Sequence, residues 1–171
     1  MLPRVLKNFN VIVDGHPMAG VAEELELPDL DRKMDEYRGG GMLGEVSLDL
    51  GLEKLSLTFT LAQFDLVVLN NWGVWGASGL GVRFLGAARA DDDAGAVEAI
   101  EVAGRGRWKK IELGSVKTGD RSKMKIEMPL TYYRYRSNSR DIIEIDLINN
   151  IERVNGTDRQ ATVNQAIGLS L

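Results

Sequence analysis

Leu55-Ser-Leu-Thr-Phe-Thr-Leu61 alternates apolar and small polar residues without a break. In an extended chain successive side chains point to opposite faces, so Leu55, Leu57, Phe59 and Leu61 share one side and Ser56, Thr58 and Thr60 the other. The stretch predicts a half-buried β-strand. Glu45-Val-Ser-Leu-Asp-Leu-Gly-Leu52, just before it, sets Val46, Leu48, Leu50 and Leu52 against Glu45, Ser47 and Asp49, and predicts a second strand of the same kind.

The same two-residue period, bounded by Gly, Asp, Asn or Ser, predicts further strands at Phe9–Asp14, Val21–Leu27, Val82–Asp91, Val97–Gly104, Arg107–Leu113, Met124–Arg136 and Ile142–Ile148. Met124, Ile126, Met128, Leu130 and Tyr132 are expected to share one face. Two segments have helical spacing instead: Gln63–Trp72, closed by Gly73, and Thr157–Ile167, closed by Gly168. With 171 residues, 44% hydrophobic and 27% charged, the chain reads as one mainly β domain, 1–171.

Absent cysteine excludes disulfides, thiolate zinc sites and cysteine nucleophiles. The start, broken by Pro3, Arg4, Lys7, Asn8, Asn10 and Asp14, lacks a signal-peptide core, and no segment approaches the roughly 20 apolar residues of a membrane span. A cytosolic product without stable membrane association is expected. The net charge of −4 argues against a general nucleic-acid binder.

Gly39-Gly-Gly-Met-Leu-Gly44 has the spacing G-x-G-x-x-G, but a dinucleotide site needs a helix after the glycines to receive the phosphate. Here a strand follows, so the glycines form a hairpin tip between Val21–Tyr37 and Glu45–Leu52. Gly104-Arg-Gly-Arg-Trp-Lys-Lys110 and Tyr132-Tyr-Arg-Tyr-Arg136 combine cations with aromatics, as a nucleic-acid groove would. Acids crowd the first, and aromatic strand residues serve packing or protein contact more often. His16, the single histidine, sits in a turn. Asp91–Asp93 lacks the ligand spacing of a calcium loop, and adjacent acids such as Glu23 and Glu24 are too common to nominate a dyad. No catalytic, metal or cofactor site assembles, and the chain reads as a non-enzyme with no cofactor.

Two longer segments carry a resemblance. Leu27-Pro-Asp-Leu-Asp-Arg-Lys-Met-Asp-Glu-Tyr-Arg-Gly-Gly-Gly-Met42 with Val46-Ser-Leu-Asp-Leu-Gly-Leu-Glu53, and Glu144-Ile-Asp-Leu-Ile-Asn-Asn-Ile-Glu-Arg-Val-Asn-Gly-Thr-Asp158 with Ile167-Gly-Leu169, resemble the major tail tube proteins of contractile-tailed bacteriophages and R-type pyocins. The resemblance spans essentially the whole chain. It implies a β-sandwich or barrel-like domain with one flanking helix (63–73) and a short C-terminal helical segment (157–168), with 27–53 as a long inter-subunit hairpin. Six copies would form a ring, and stacked rings a tube lined by one continuous β-barrel. Implied partners are other copies of the chain, a sheath, a ruler protein, baseplate and terminator proteins, and DNA passing through without specific binding. The implied place is the virion tail, assembled in the bacterial cytoplasm.

Within that frame, Tyr37, Arg38, Gly39, Gly40, Gly41, Met42, Leu43 and Gly44 are the expected ring-stacking loop, with Met42 and Leu43 as anchors. Glu45, Ser47, Asp49, Ser56, Thr58 and Thr60 are candidate lumen residues, because acidic and neutral groups do not hold phosphate. Arg105, Arg107, Lys109, Arg134 and Arg136 are expected away from the lumen, paired with acids of neighbouring copies or facing the sheath. Alternatives are a baseplate tube initiator, a tube ring protein like that of type VI secretion, or a nucleic-acid-binding β domain using the two basic aromatic segments.

Overall fold

The computed structural model describes residues 2–92 and 96–169, so Asp93 of the acidic run lies outside the described residues. In chain order the elements are β1 (Val5–Val13), β2 (His16–Pro17), β3 (Ala22–Glu26), β4 (Arg32–Tyr37), β5 (Val46–Leu52), β6 (Ser56–Leu61), α1 (Leu66–Asn70), β7 (Leu80–Arg89), β8 (Val97–Gly106), β9 (Lys110–Glu112), β10 (Met124–Ser137), β11 (Arg140–Asp146), β12 (Ile151–Val154), β13 (Thr157–Asp158) and α2 (Ala161–Ala166). The fold is mainly β. The hydrogen-bonded path β13-β12-β11-β10-β8-β7-β1-β2 forms a long sheet. A second, four-stranded layer runs β3-β6-β10-β9, and β4 with β5 forms a separate two-stranded hairpin.

Strand β10 belongs to both layers. Its first half pairs with β6 and β9, its second half with β8 and β11. The change of sheet needs a change of face, and an irregularity in register between Leu130 and Tyr132 supplies it. Met124, Ile126, Met128 and Leu130 are buried as the alternation predicts, but Tyr133 then takes the inward position and Tyr132 turns outward. The expected apolar face therefore ends at Leu130. Gly106 is required at this corner, since a Cβ there would lie 2.1 Å from the Pro129 carbonyl oxygen.

Between the layers lies one core. The Leu55–Leu61 face meets Ile126 and Met128 of β10, with Val11, Val82 and Val102 from the long sheet. Phe59 packs edge-on against Trp108, with ring centroids 5.8 Å apart. Burial of such side chains contributes about 1.5–3 kcal/mol each.

Several expected elements differ. The helix expected over 63–73 is a single turn, Leu66–Asn70, started by Asp65, whose carboxylate accepts from the Val67 and Val68 amides. Only Val68 of that turn is buried. The strand expected at Arg107–Leu113 is interrupted: β8 ends at Gly106, β9 starts at Lys110, and Trp108 between them turns into the core, donating from Nε1 to the Val68 carbonyl at 3.1 Å. The strand expected at Val21–Leu27 is β3, and the hairpin arm expected over Val21–Tyr37 is divided between two strands with different partners, β3 on β6 and β4 on β5. The segment expected to be helical from Thr157 begins as β13, and α2 starts at Ala161.

Candidate assembly surfaces

The outer face of the four-stranded layer is built from cross-strand rows. Opposite residues of paired strands share a face, so the register sets Glu26, Thr58, Glu127 and Lys110 in one row and Glu24, Thr60, Lys125 and Glu112 in the next. Ser56 continues the face opposite Pro129. Lys110 pairs with Glu112, Lys125 lies 3.5 Å from Glu26, and Lys109 reaches Glu127 at 2.7 Å. Hydrogen bonds from Lys110 and Lys109 respectively hold the Glu112 and Glu127 carboxyls below the usual range. With Lys109 counted, four carboxylates stand against three ammonium groups, and no large apolar side chain interrupts the rows.

Ser56, Thr58 and Thr60 thus share one polar face. Ser47 and Asp49 lie on β5 in the separate hairpin, and Glu45 just precedes that strand. Ser47 Oγ donates to Glu36 at 2.8 Å, and Asp49 lies 2.5 Å from Arg32 Nε. The Gly51 amide, more than Arg32, holds the Asp49 carboxyl below its ordinary range.

The hairpin stands off the body. Tyr37 opposes Val46 and Asp35 opposes Leu48, and Tyr37, Val46, Leu48 and Leu50 are all exposed. The half-buried strand expected at Glu45–Leu52 is therefore bare within the single chain. Its root is fixed by Arg32, which bridges Asp49 and, at 2.8 Å, Glu152 of β12. At the tip, the Gly39 amide meets Met42 Sδ at 3.0 Å, and Arg38 donates to the Leu43 carbonyl at 3.4 Å. Met42 is folded back and half-buried, while Leu43 is fully exposed. Gly40, Gly41 and Gly44 complete the loop between the strands.

Arg105, Arg134 and Arg136 lie on the long sheet, away from the polar rows, Arg107 is exposed between β8 and β9, and Lys109 lies at the rows. Arg134 and Arg136 sit on the outer face of the long sheet in a network with Glu101 and Asp141, and Arg83 joins them through Glu101. A hydrogen bond from Arg136 holds Asp141 below the usual carboxylate range. These cations find acids within their own chain, where the expectation was acids of neighbouring copies or a position facing the sheath. Arg105 lines a groove of about 750 Å³ on the same face with Arg83, Tyr132 and Arg134. Trp108 and Tyr133 are buried, and Tyr132 donates to Glu144, so neither basic segment offers a row of free aromatic faces for bases.

The chain is thus mainly β, with one polar sheet face and an exposed apolar hairpin. The family model for phage tail tube protein FII matches residues 3–168. The chain belongs to that family. It is 40% identical to the tail tube protein of Escherichia phage P2, over 98% of this chain and 99% of the relative. It is 32% identical to the major tail tube protein of Serratia phage KSP20, over 91% and 90% of the two chains. Among solved structures it resembles chains from an extracellular contractile injection system, in the sheath/tube terminator and the sheath-tube complex, both in the extended state. Both give a TM-score of 0.58 at 12% identity, covering 80% and 79% of this chain and 98% and 92% of the others, which is a likeness of fold. The role of this tail tube family member is structural, as a virion component.

Two surfaces of this tail tube subunit are not legible from helical spacing. Phe64 and Trp72, which fall at helical spacing in the Gln63–Trp72 segment, are exposed, as are Leu66 and Trp75. On α2 the buried residue is Asn164, while Val163 and Ile167 are exposed. Asn164 is held by Asn150, whose Nδ2 donates to its Oδ1 at 2.5 Å and whose carbonyl accepts from its Nδ2 at 2.9 Å. The signal available in the sequence is the lack of charge: Asp65 is the one ionisable residue between Ala62 and Val82, and none occurs from Gln160 onward.

Proposed function

We propose that copies of this chain close head to tail into hexameric rings that stack into the inner tube of a contractile tail, with the Ser56–Thr58–Thr60 face lining the lumen. The observation that carries this reading is the four-stranded layer itself. It has one polar face without large apolar side chains, and its end strands β3 and β9 each pair on one side only among the described residues. An unpaired edge is an aggregation hazard in a monomer, and pairing it with the next copy satisfies its backbone groups. A ring in which β3 of one copy meets β9 of the next extends the layer into a continuous wall.

The near-balanced charge of the polar rows suits a conduit. A strongly cationic wall would bind phosphate through counterion release, whereas paired lysines and extra carboxylates let DNA pass. Lys109 fits because its ammonium is paired with Glu127. The exposed hairpin supplies the contact between rings, with Leu43 its foremost apolar anchor. A sheath around the tube, a ruler setting its length, baseplate and terminator proteins at its ends, and assembly in the bacterial cytoplasm complete the reading. Rings that close laterally and contacts that propagate axially are the two heterologous interfaces such a polymer needs. Negative-stain electron microscopy of the purified protein tests it: hollow rings or tubes are expected, and a monomer at every concentration that binds DNA tightly would overturn it.

A further inference from the structure

Two charge-free apolar surfaces lie on opposite sides of β10. On one side are β8 and β9, and Trp108 between them ties α1 down through the Val68 carbonyl. On the other are β6 and β11, and the turn after β11 clasps α2 through the Asn150–Asn164 pair. The first side presents Leu66, Trp72 and Trp75, and Trp75 is 97% exposed. The second presents Val163, Ile167 and Leu169.

The aromatic loop is held in shape before any partner arrives. Ser78 Oγ lies 2.6 Å from Thr131 Oγ1, and a Cβ on Gly79 would fall 2.6 Å from Val74 Cγ1, so the loop returns tightly to β7. Asp65 is engaged as the α1 cap. A rigid, uncharged tryptophan surface is the kind of anchor that dominates protein interfaces, and it needs a partner surface that is also apolar and uncharged. The outward face of α2 meets that requirement.

We infer that, in the ring, the Trp72–Trp75 loop of one copy packs against the Val163–Ile167–Leu169 face of α2 on the next copy. This rests on the head-to-tail ring proposed above and names the side chains that select its lateral partner. A heterologous contact joins two different surfaces on opposite flanks of one subunit, which is how these two are placed. The rims are complementary as well. Arg107, beside Trp108, makes no ion pair among the described residues, nor do Asp29 and Asp31, beside the Arg32–Glu152 bridge on the other flank. The same ring puts β9 of one copy towards β3 of the next.

The natural absence of cysteine makes the test clean. Ala77→Cys and Ala166→Cys, at exposed positions beside the anchors, are prepared as separate proteins, mixed in equal amounts and treated with a flexible bis-maleimide. Electron microscopy of the same samples reports rings. Cross-linked 77–166 pairs are expected to dominate over 77–77 and 166–166. Predominantly 77–77 pairs would mean a symmetric contact and overturn the inference. Rings without 77–166 pairs would overturn it while leaving the ring intact, and neither rings nor cross-links would remove both. In a second measurement, Trp75→Glu should raise the protein concentration needed for assembly at least about tenfold with an unchanged circular dichroism spectrum, a size expected of an interface anchor. Unchanged assembly would contradict the inference.

Discussion

Strands β5 and β6 are neighbours in sequence and carry the same alternating pattern, yet they end in opposite surroundings. Leu55, Leu57, Phe59 and Leu61 are sealed in the core, whereas Val46, Leu48 and Leu50 are 43%, 45% and 58% exposed. Alternation dictates an extended backbone with an apolar face. What covers that face depends on the strands beside it. β6 lies between β3 and β10 and under the long sheet, while β5 has only β4, itself exposed on both sides. The difference separates a strand covered within the chain from one left exposed, which the proposed ring assigns to a neighbouring copy.

That contrast orders the consequences of substitution. Phe59→Ala removes a fully buried ring and its contact with Trp108, and should destabilise the chain by about 3–5 kcal/mol in urea unfolding. Gly106→Ala forces a methyl group onto the Pro129 carbonyl and should cost about 1–3 kcal/mol or more. Arg32→Ala unties the hairpin root from Glu152. It should lower global stability by only about 1 kcal/mol but clearly speed hydrogen exchange in β4 and β5, and unchanged exchange there would mean the root is held by something else.

Acid should act on the body in the same graded way. Hydrogen bonds from Ser137 and Arg136 hold the Glu98 and Asp141 carboxyls low, so the unfolded chain takes up protons first as pH falls. Their stabilisation is present above about pH 4 and is lost as pH drops through the lowered folded values. The urea midpoint should fall steadily below about pH 4, and a midpoint independent of pH there would contradict the assignment. Smallest for the fold is Leu43→Asp, expected within about 0.5 kcal/mol of the parent yet blocking the growth of rings into tubes. Long tubes from that variant would remove Leu43 from the axial contact. Met42→Asp should in addition loosen the tip, because Met42 packs back onto Gly39.

The strands of the body were legible because burial on one face leaves a two-residue period in the residues themselves. The departures share a physical cause, tertiary contact overriding local pattern. The face change after Leu130 comes from β10 switching partners, and the need for Gly106 at that corner arises only when Pro129 is brought against it. Trp108 leaves the strand period because its indole packs on Phe59 and donates to the Val68 carbonyl. Phe64, Trp72, Val163 and Ile167 have helical spacing, which signals an apolar face and says nothing about whether the same chain covers it. GGGMLG was readable as a hairpin tip because a strand follows it, but two adjacent apolar residues carry no mark of which folds back, as Met42 does, and which stays fully exposed, as Leu43 does.

The central claim is that the four-stranded layer forms the wall of a lumen and the bare surfaces are satisfied by other copies. A cryo-electron microscopy reconstruction of tubes assembled from the purified protein tests it most directly. Ser56, Thr58 and Thr60 should face the channel, with β3 of each copy against β9 of the next and the Val46–Leu48–Leu50 face covered by a neighbouring subunit. A channel lined by the Arg83–Arg105–Arg134 face, or a hairpin left bare in the tube, would contradict the account.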